Sequence, residues 1–188
     1  INVSLSEEQG ENVLLFGLNK NHQVTRTATQ IFLSALYSAR AAGRDTDFVV
    51  LDCFSADEEV PYQQLFEKLE DEGELRQLFG RERGEWLVEL GDSVRNDQAN
   101  ETVVLILGQD KWRELRNNRE LPVKESADVA ASTLGTSPSF LGGSFGGARP
   151  SQRTYRTELQ YLLENGSERG VHFLLQVDKP QNLIGGQT

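Results

Sequence analysis

The chain has 188 residues, with 19 Lys and Arg against 29 Asp and Glu, a formal net charge of −10. Its 37% apolar and 26% charged content excludes global disorder, and the single cysteine, Cys53, excludes an internal disulfide and a Cys-based zinc site. The sequence holds no apolar run of the roughly eighteen residues that a membrane helix needs. Residues 1–10 are polar and acidic and contain no secretory h-region, so a cytoplasmic domain without membrane contact is expected. The acidic balance argues against a broad nucleic-acid face and leaves a local basic loop open. The chain opens on Ile1 and contains no Met, which predicts a fragment of a larger polypeptide.

The first predicted element is an apolar strand, Asn12-Val13-Leu14-Leu15-Phe16. Ala28, Ile31, Phe32, Ala35, Leu36 and Ala39 then recur with helical period, predicting one amphipathic helix over 25–42 that stops at Gly43. A second strand, Phe48-Val49-Val50-Leu51, precedes a helical region over 62–79 broken at Gly73. Trp86, Leu87, Leu90 and Val94 form a third helical stripe. A third strand runs from Thr102 through Val103-Val104-Leu105-Ile106 to Leu107. The stretch 121–150 is rich in Ser, Gly and Pro, including Gly142-Gly143-Ser144-Phe145-Gly146-Gly147, and is expected to be an insertion or loop. A helix around Tyr155, Leu159, Leu162 and Leu163 leads into a last strand, Val171-His172-Phe173-Leu174-Leu175. All four apolar runs read as strands buried on both faces. The alternation predicts a single α/β domain with a mostly parallel, doubly wound sheet and helices on both faces.

In nucleotide hydrolases, a buried strand ends in a loop of the form GxxxxGK(S/T) that opens a helix. Backbone N–H groups close around the β-phosphate, the Lys reaches the β and γ phosphates, and the hydroxyl holds Mg²⁺. Here the first strand runs into Gly17-Leu18-Asn19-Lys20-Asn21-His22-Gln23-Val24 and then the long helix. Context and spacing fit that pattern. The chemistry departs from it, because His22 stands for the second glycine, Gln23 for the lysine and Val24 for the hydroxyl. Lys20 is the one cation inside the loop.

The last strand adds a resemblance. Gly166-Ser167-Glu168-Arg169-Gly170-Val171-His172-Phe173-Leu174-Leu175-Gln176-Val177-Asp178-Lys179-Pro180 resembles the GRAxGIHLILATQRP segment of the FtsK/SpoIIIE family of RecA-like motor ATPases. Gly10-Glu11-Asn12-Val13-Leu14-Leu15-Phe16-Gly17 is similar to that family's GxHLLIAG lead into its Walker A loop, and Phe48-Val49-Val50-Leu51-Asp52 to its second strand ending in Asp. The resemblance covers about 10–183 and implies a RecA-like P-loop NTPase fold. It places degenerate Walker A positions at Gly17, Lys20, His22, Gln23 and Val24, with Asp52 nearby. Degenerate Walker B positions fall on Gly108, Gln109 and Asp110, where the family has Asp-Glu. The family's arginine near the fourth-strand entrance falls on Ser167, with Arg169 close by, and its Thr-Gln pair falls on Val177-Asp178. Family members continue through further strands beyond the point matching Pro180.

These departures imply a module that does not hydrolyse ATP, holds no metal or cofactor and binds Mg-ATP weakly at most. Multi-ATPase translocases, such as those of type VII secretion, carry modules of this kind. The partners implied are other ATPase modules of the same polypeptide or ring, and a secreted-protein tail or linker segment. Two other functions stay open on the residues: an active ATPase with a deviant phosphate loop driving DNA or protein translocation, and a small-ligand-binding α/β domain. Elsewhere, His172 is read as a structural residue, Cys53 as a small buried hydrophobe and Trp112 as core. The acidic run Asp57-Glu58-Glu59 and the acidic residues of 67–74 are read as solvated helix faces.

Overall fold

Every strand pair in the sheet is parallel. The computed structural model describes residues 12–17, 22–54, 58, 61–121 and 153–178. Within them β1 (Val13–Phe16), β2 (Asp47–Asp52), β3 (Arg76–Leu78), β4 (Thr102–Leu107) and β5 (Val171–Val177) lie in the order β1-β5-β4-β2-β3. The helices are α1 (Gln23–Ala41), α2 (Gln63–Asp71), α3 (Gly80–Arg95), α4 (Arg113–Arg116) and α5 (Tyr155–Asn165). The chain is therefore α/β, as its strand and helix pattern requires.

Strand order decides which helix covers which face. From β1 the chain crosses to β2 and then β3 in one direction along the sheet, and it returns through β4 to β5 in the other. Right-handed crossovers then put helices of the outward and return paths on opposite faces. The packing agrees. Ala28, Phe32 and Leu36 of α1 and Phe66 and Leu69 of α2 pack with Phe48, Val50, Val103, Leu105 and Leu107. Leu87, Leu90 and Val94 of α3 and Leu159 and Leu162 of α5 pack with Val49, Leu51, Val104, Ile106, Phe173 and Leu175. Successive residues of β2 and β4 thus feed opposite cores, which is why these strands carry unbroken apolar runs.

Helix ends explain where the sequence pattern changes. After α1, Gly43 (φ 66°) donates to the Arg40 carbonyl at 3.0 Å and Arg44 to the Ala39 carbonyl at 3.0 Å, a Schellman stop. The same pair of bonds ends α2, where Gly73 (φ 74°) donates to Glu70 and Glu74 to Leu69. It recurs after α3 with Asp97 (φ 58°) in the left-handed position. At the other end of a helix, Thr154 caps α5 in a reciprocal box with Thr157 (3.2 Å and 2.9 Å).

Two expectations need correction. The helical region over 62–79 ends at Gly73, and Arg76–Leu78 is strand β3, paired with β2 through Val49, Val50 and Leu51. Three residues are too few to show period-two alternation, and Leu75 and Leu78 lie three apart, the spacing of one helical turn. β1 is not buried on both faces. It is the sheet's edge among the described residues, with Val13 and Leu15 against the α1 side and Leu14 and Phe16 40% and 59% exposed. α5 meets this strand's entrance at Asn12, whose side-chain amide donates to the Leu163 carbonyl at 2.8 Å. The Gly-rich segment 142–147 lies outside the described residues, as do Lys20 and the stretch around Pro180.

Candidate functional site

In an open parallel sheet, the loops at the strand carboxyl ends part where successive connections leave to opposite faces, and a crevice forms there. Here β2 leads to α2 on one face and its neighbour β4 leads towards α5 on the other. Along this edge lie Gly17 after β1, Asp52, Cys53 and Phe54 at the end of β2, Gly108, Gln109 and Asp110 after β4, and Gln176 to Asp178 at the end of β5. The structure thus gathers Gly17, Asp52, Gly108, Gln109 and Asp110, positions the sequence had singled out, on one edge of the sheet.

The described residues at the α1 entrance, His22 to Val24, carry neither the lysine nor the hydroxyl of a phosphate loop. His22 has φ 56°, the left-handed conformation that glycine adopts freely and a β-carbon resists. Its Nδ1 is buried without a hydrogen-bond partner. No side chain caps α1. Gln23 is exposed and Val24 half-buried, and a β-carbon on Gly17 would stand 3.3 Å from Val24 Cγ2. Gly17 N–H donates to the Val177 carbonyl at 3.3 Å, tying the end of β1 to β5.

At the β4 end the first backbone N–H is already taken by protein. Gly108 turns left-handed (φ 66°), and its N–H donates to the Gln176 side-chain carbonyl at 2.7 Å. Gln176 Nε2 in turn donates to Asp178 Oδ1 at 2.8 Å. Gln109 follows in a single 3-10 turn (Gln109–Lys111), 3% exposed, with Oε1 unbonded. Asp110 is half-buried and its Oδ1 is also buried and unbonded.

Among the described residues two cations stand near this edge, and both are engaged. Arg83 of α3 donates to the Asp52 carbonyl and lies 5.4 Å from the centroid of the Trp112 ring. Lys111 pairs with Glu58 and sits 4.3 Å from the Phe54 ring centroid. Sequence reading missed Arg83, Lys111 and Gln176. Only Gln176 left a signal, as a polar residue in the otherwise apolar end of the last strand.

Burial shapes the titrations. Desolvation pushes the Asp52 carboxyl above its ordinary value, against the lowering effect of the Phe54 N–H (2.9 Å to Oδ1) and of Arg83. Between its ordinary and its raised value the folded state holds more proton than the unfolded state, so rising pH removes stability there. Asp52→Asn is therefore expected to stabilise the fold at neutral pH, and the gain to shrink in acid; thermal melts at neutral and acid pH check this. Desolvation likewise pushes the Cys53 thiol to about 12, and its Sγ lies 3.8 Å from the Leu51 carbonyl. Cys53 is a buried apolar residue, as the sequence reading has it.

The remaining singled-out residues lie elsewhere. Trp112 is wholly buried in the α3–α5 core. His172 is buried in β5 beside Val103. Arg169 pairs with Asp97 at the opposite, amino-terminal edge of the sheet, and Ser167 is buried there. Glu74 pairs with Arg40 at 2.6 Å, and Glu70 accepts the Gln77 N–H at 2.8 Å. Among the described residues no group of three His, Cys, Asp or Glu could hold a metal, and no helix is long and apolar enough to cross a membrane. Comparison with protein-family models, curated proteins and solved structures finds no match to this chain.

Proposed function

We propose that this domain is a non-hydrolysing module of FtsK/SpoIIIE type, acting in the cytoplasm as a structural, regulatory or substrate-binding part of a larger translocation motor. One observation carries the reading. At the edge where a motor ATPase would receive phosphate, the Gly108 N–H is filled by Gln176 and the cations Arg83 and Lys111 are held by the Asp52 carbonyl and Glu58. Among the described residues, a phosphate entering here would have to displace existing hydrogen bonds, and the Arg83 and Lys111 contacts that could reward it are already taken. The strand–loop–helix frame around β1 and α1 supports descent from a phosphate-binding design, and Gln23 and Val24 support its loss.

A strand carboxyl edge that no longer takes a nucleotide is suited to a protein segment from another module of the ring or from a translocated chain. A photo-crosslinking residue at Gln23 or Asp178 of the parent motor tests this. The reading expects adducts with a neighbouring module or substrate segment. Adducts formed only from probes remote from Gly17, Val24, Gly108 and Asp110, with none from these two, would contradict it.

A further inference from the structure

We infer that the opposite, amino-terminal edge of the sheet carries a second binding site, a cleft that takes an extended peptide segment in which an acidic and a basic residue flank an apolar one. The cleft arises from unequal strands. β2 begins at Asp47, level with Thr102 of β4, whereas β3 first pairs at Arg76, opposite Val49. The corner beside Asp47 and Phe48 therefore has no third strand, and α3 spans the gap. The cleft has a volume of about 440 Å³, within the range of small-ligand and peptide-side-chain pockets.

Its lining has a definite chemistry. Trp86, Glu89, Leu90 and Ser93 lie at i, i+3, i+4 and i+7 of α3, so one face of the helix is turned into the cleft. Leu75 and Leu90 are buried and give it an apolar floor, and Trp86 is half-buried beside them. Within the lining, Arg40 and Glu74 form an ion pair closed on itself at 2.6 Å. Arg76 and Glu89 differ. Both are exposed and line the same cleft, yet neither pairs with the other or with any other described residue.

Opposite charges left unpaired across one cleft favour a ligand carrying both signs. A carboxylate matches the fork of the Arg76 guanidinium, an ammonium matches Glu89, and an apolar side chain between them covers Trp86 and Leu75. This site is remote from the carboxyl-edge crevice and stands whether or not that crevice is a retired nucleotide site.

The test is a titration of the isotope-labelled 188-residue chain with acetyl-Ala-Asp-Leu-Lys-Ala-amide, followed by nuclear magnetic resonance. Expected are shifts at the Trp86 indole N–H and at the amides of Arg76, Glu89 and Ser93. Arg76→Glu and Glu89→Lys, both at exposed positions, should each weaken the peptide by about tenfold at unchanged melting temperature. The peptide acetyl-Ala-Asn-Leu-Gln-Ala-amide should bind correspondingly less well. An absence of shifts, shifts confined to other surfaces, equal binding of the two peptides, or indifference to both substitutions would each overturn the proposal.

Discussion

Replacing Gly91 by alanine is expected to destabilise the domain by about 2–3 kcal/mol, lowering its melting temperature by roughly 4–12 °C. Gly91 sits on α3 where α5 crosses it, and a β-carbon there would lie 1.7 Å from Glu158 Oε1. That carboxylate cannot simply swing away. Its side chain is 1% exposed and accepts from Arg95 at 2.6 and 2.9 Å and from Arg153 at 3.0 and 3.3 Å. Displacing it leaves the pairing of two guanidinium groups with one carboxylate broken beneath a helix crossing. Because the Arg95 and Arg153 side chains are 32% and 47% exposed, water softens the loss below that of a fully buried pair. In a Glu158→Ala background the same Gly91→Ala change should cost little, since the clash is gone and alanine favours helix. A thermal-melt double-mutant cycle reads this directly. Additive losses would show that the α3–α5 contact is not built around this carboxylate.

The triple change His22→Gly, Gln23→Lys and Val24→Thr is expected to raise affinity for Mg-ATP by about one to two orders of magnitude. Glycine suits the left-handed backbone that His22 now occupies at φ 56°. Threonine matches valine in shape, so the 3.3 Å approach to Gly17 is not crowded further. Lysine at 23 supplies the charge-assisted phosphate contact, which is worth about 1.5–3 kcal/mol. Turnover should stay absent. Gln109 carries an amide where a base is needed, and Gly108 is left-handed with the Phe54 ring 3.4 Å from where its β-carbon would stand. An aspartate at Gly108 would meet both backbone strain and that ring, so restoring the metal-orienting carboxylate costs about 1–2 kcal/mol in the backbone alone. Calorimetry and a phosphate-release assay on the same variant separate regained binding from regained hydrolysis.

The sheet was legible because its inner strands are apolar on both sides. Val103 to Leu107 feed the two cores alternately, and in β5 Val171, Phe173 and Leu175 face one core while Leu174 faces the other. α1 was legible from its single stripe and its Gly43 stop. β3 was not, since its three residues owe their conformation to pairing with Val49, Val50 and Leu51. The exposure of Leu14 and Phe16 was hidden too, because strand order, not local pattern, leaves β1 at the edge of the described sheet.

At the crevice, Gly17, Asp52 and Gly108 to Asp110 followed from strand ends, which a parallel sheet must bring to one edge. What fills the edge was not foreseeable. Arg83 reaches Asp52 from 31 positions away, Lys111 reaches Glu58 from 53, and Gln176 reaches Gly108 from 68. Those contacts depend on which helix covers which strand, and that information lies in the fold.

Whether the unmodified domain binds nucleotide separates a retired nucleotide site from a working one most directly. Calorimetric titration with Mg-ATP, alongside a phosphate-release assay, measures it. The predicted result is no binding at about 1 mM, corresponding to less than roughly 4 kcal/mol of affinity, and no phosphate released. Saturable binding well below that concentration, with Mg²⁺-dependent phosphate release abolished by Lys20→Ala, would contradict it and make the domain a working ATPase with a deviant loop.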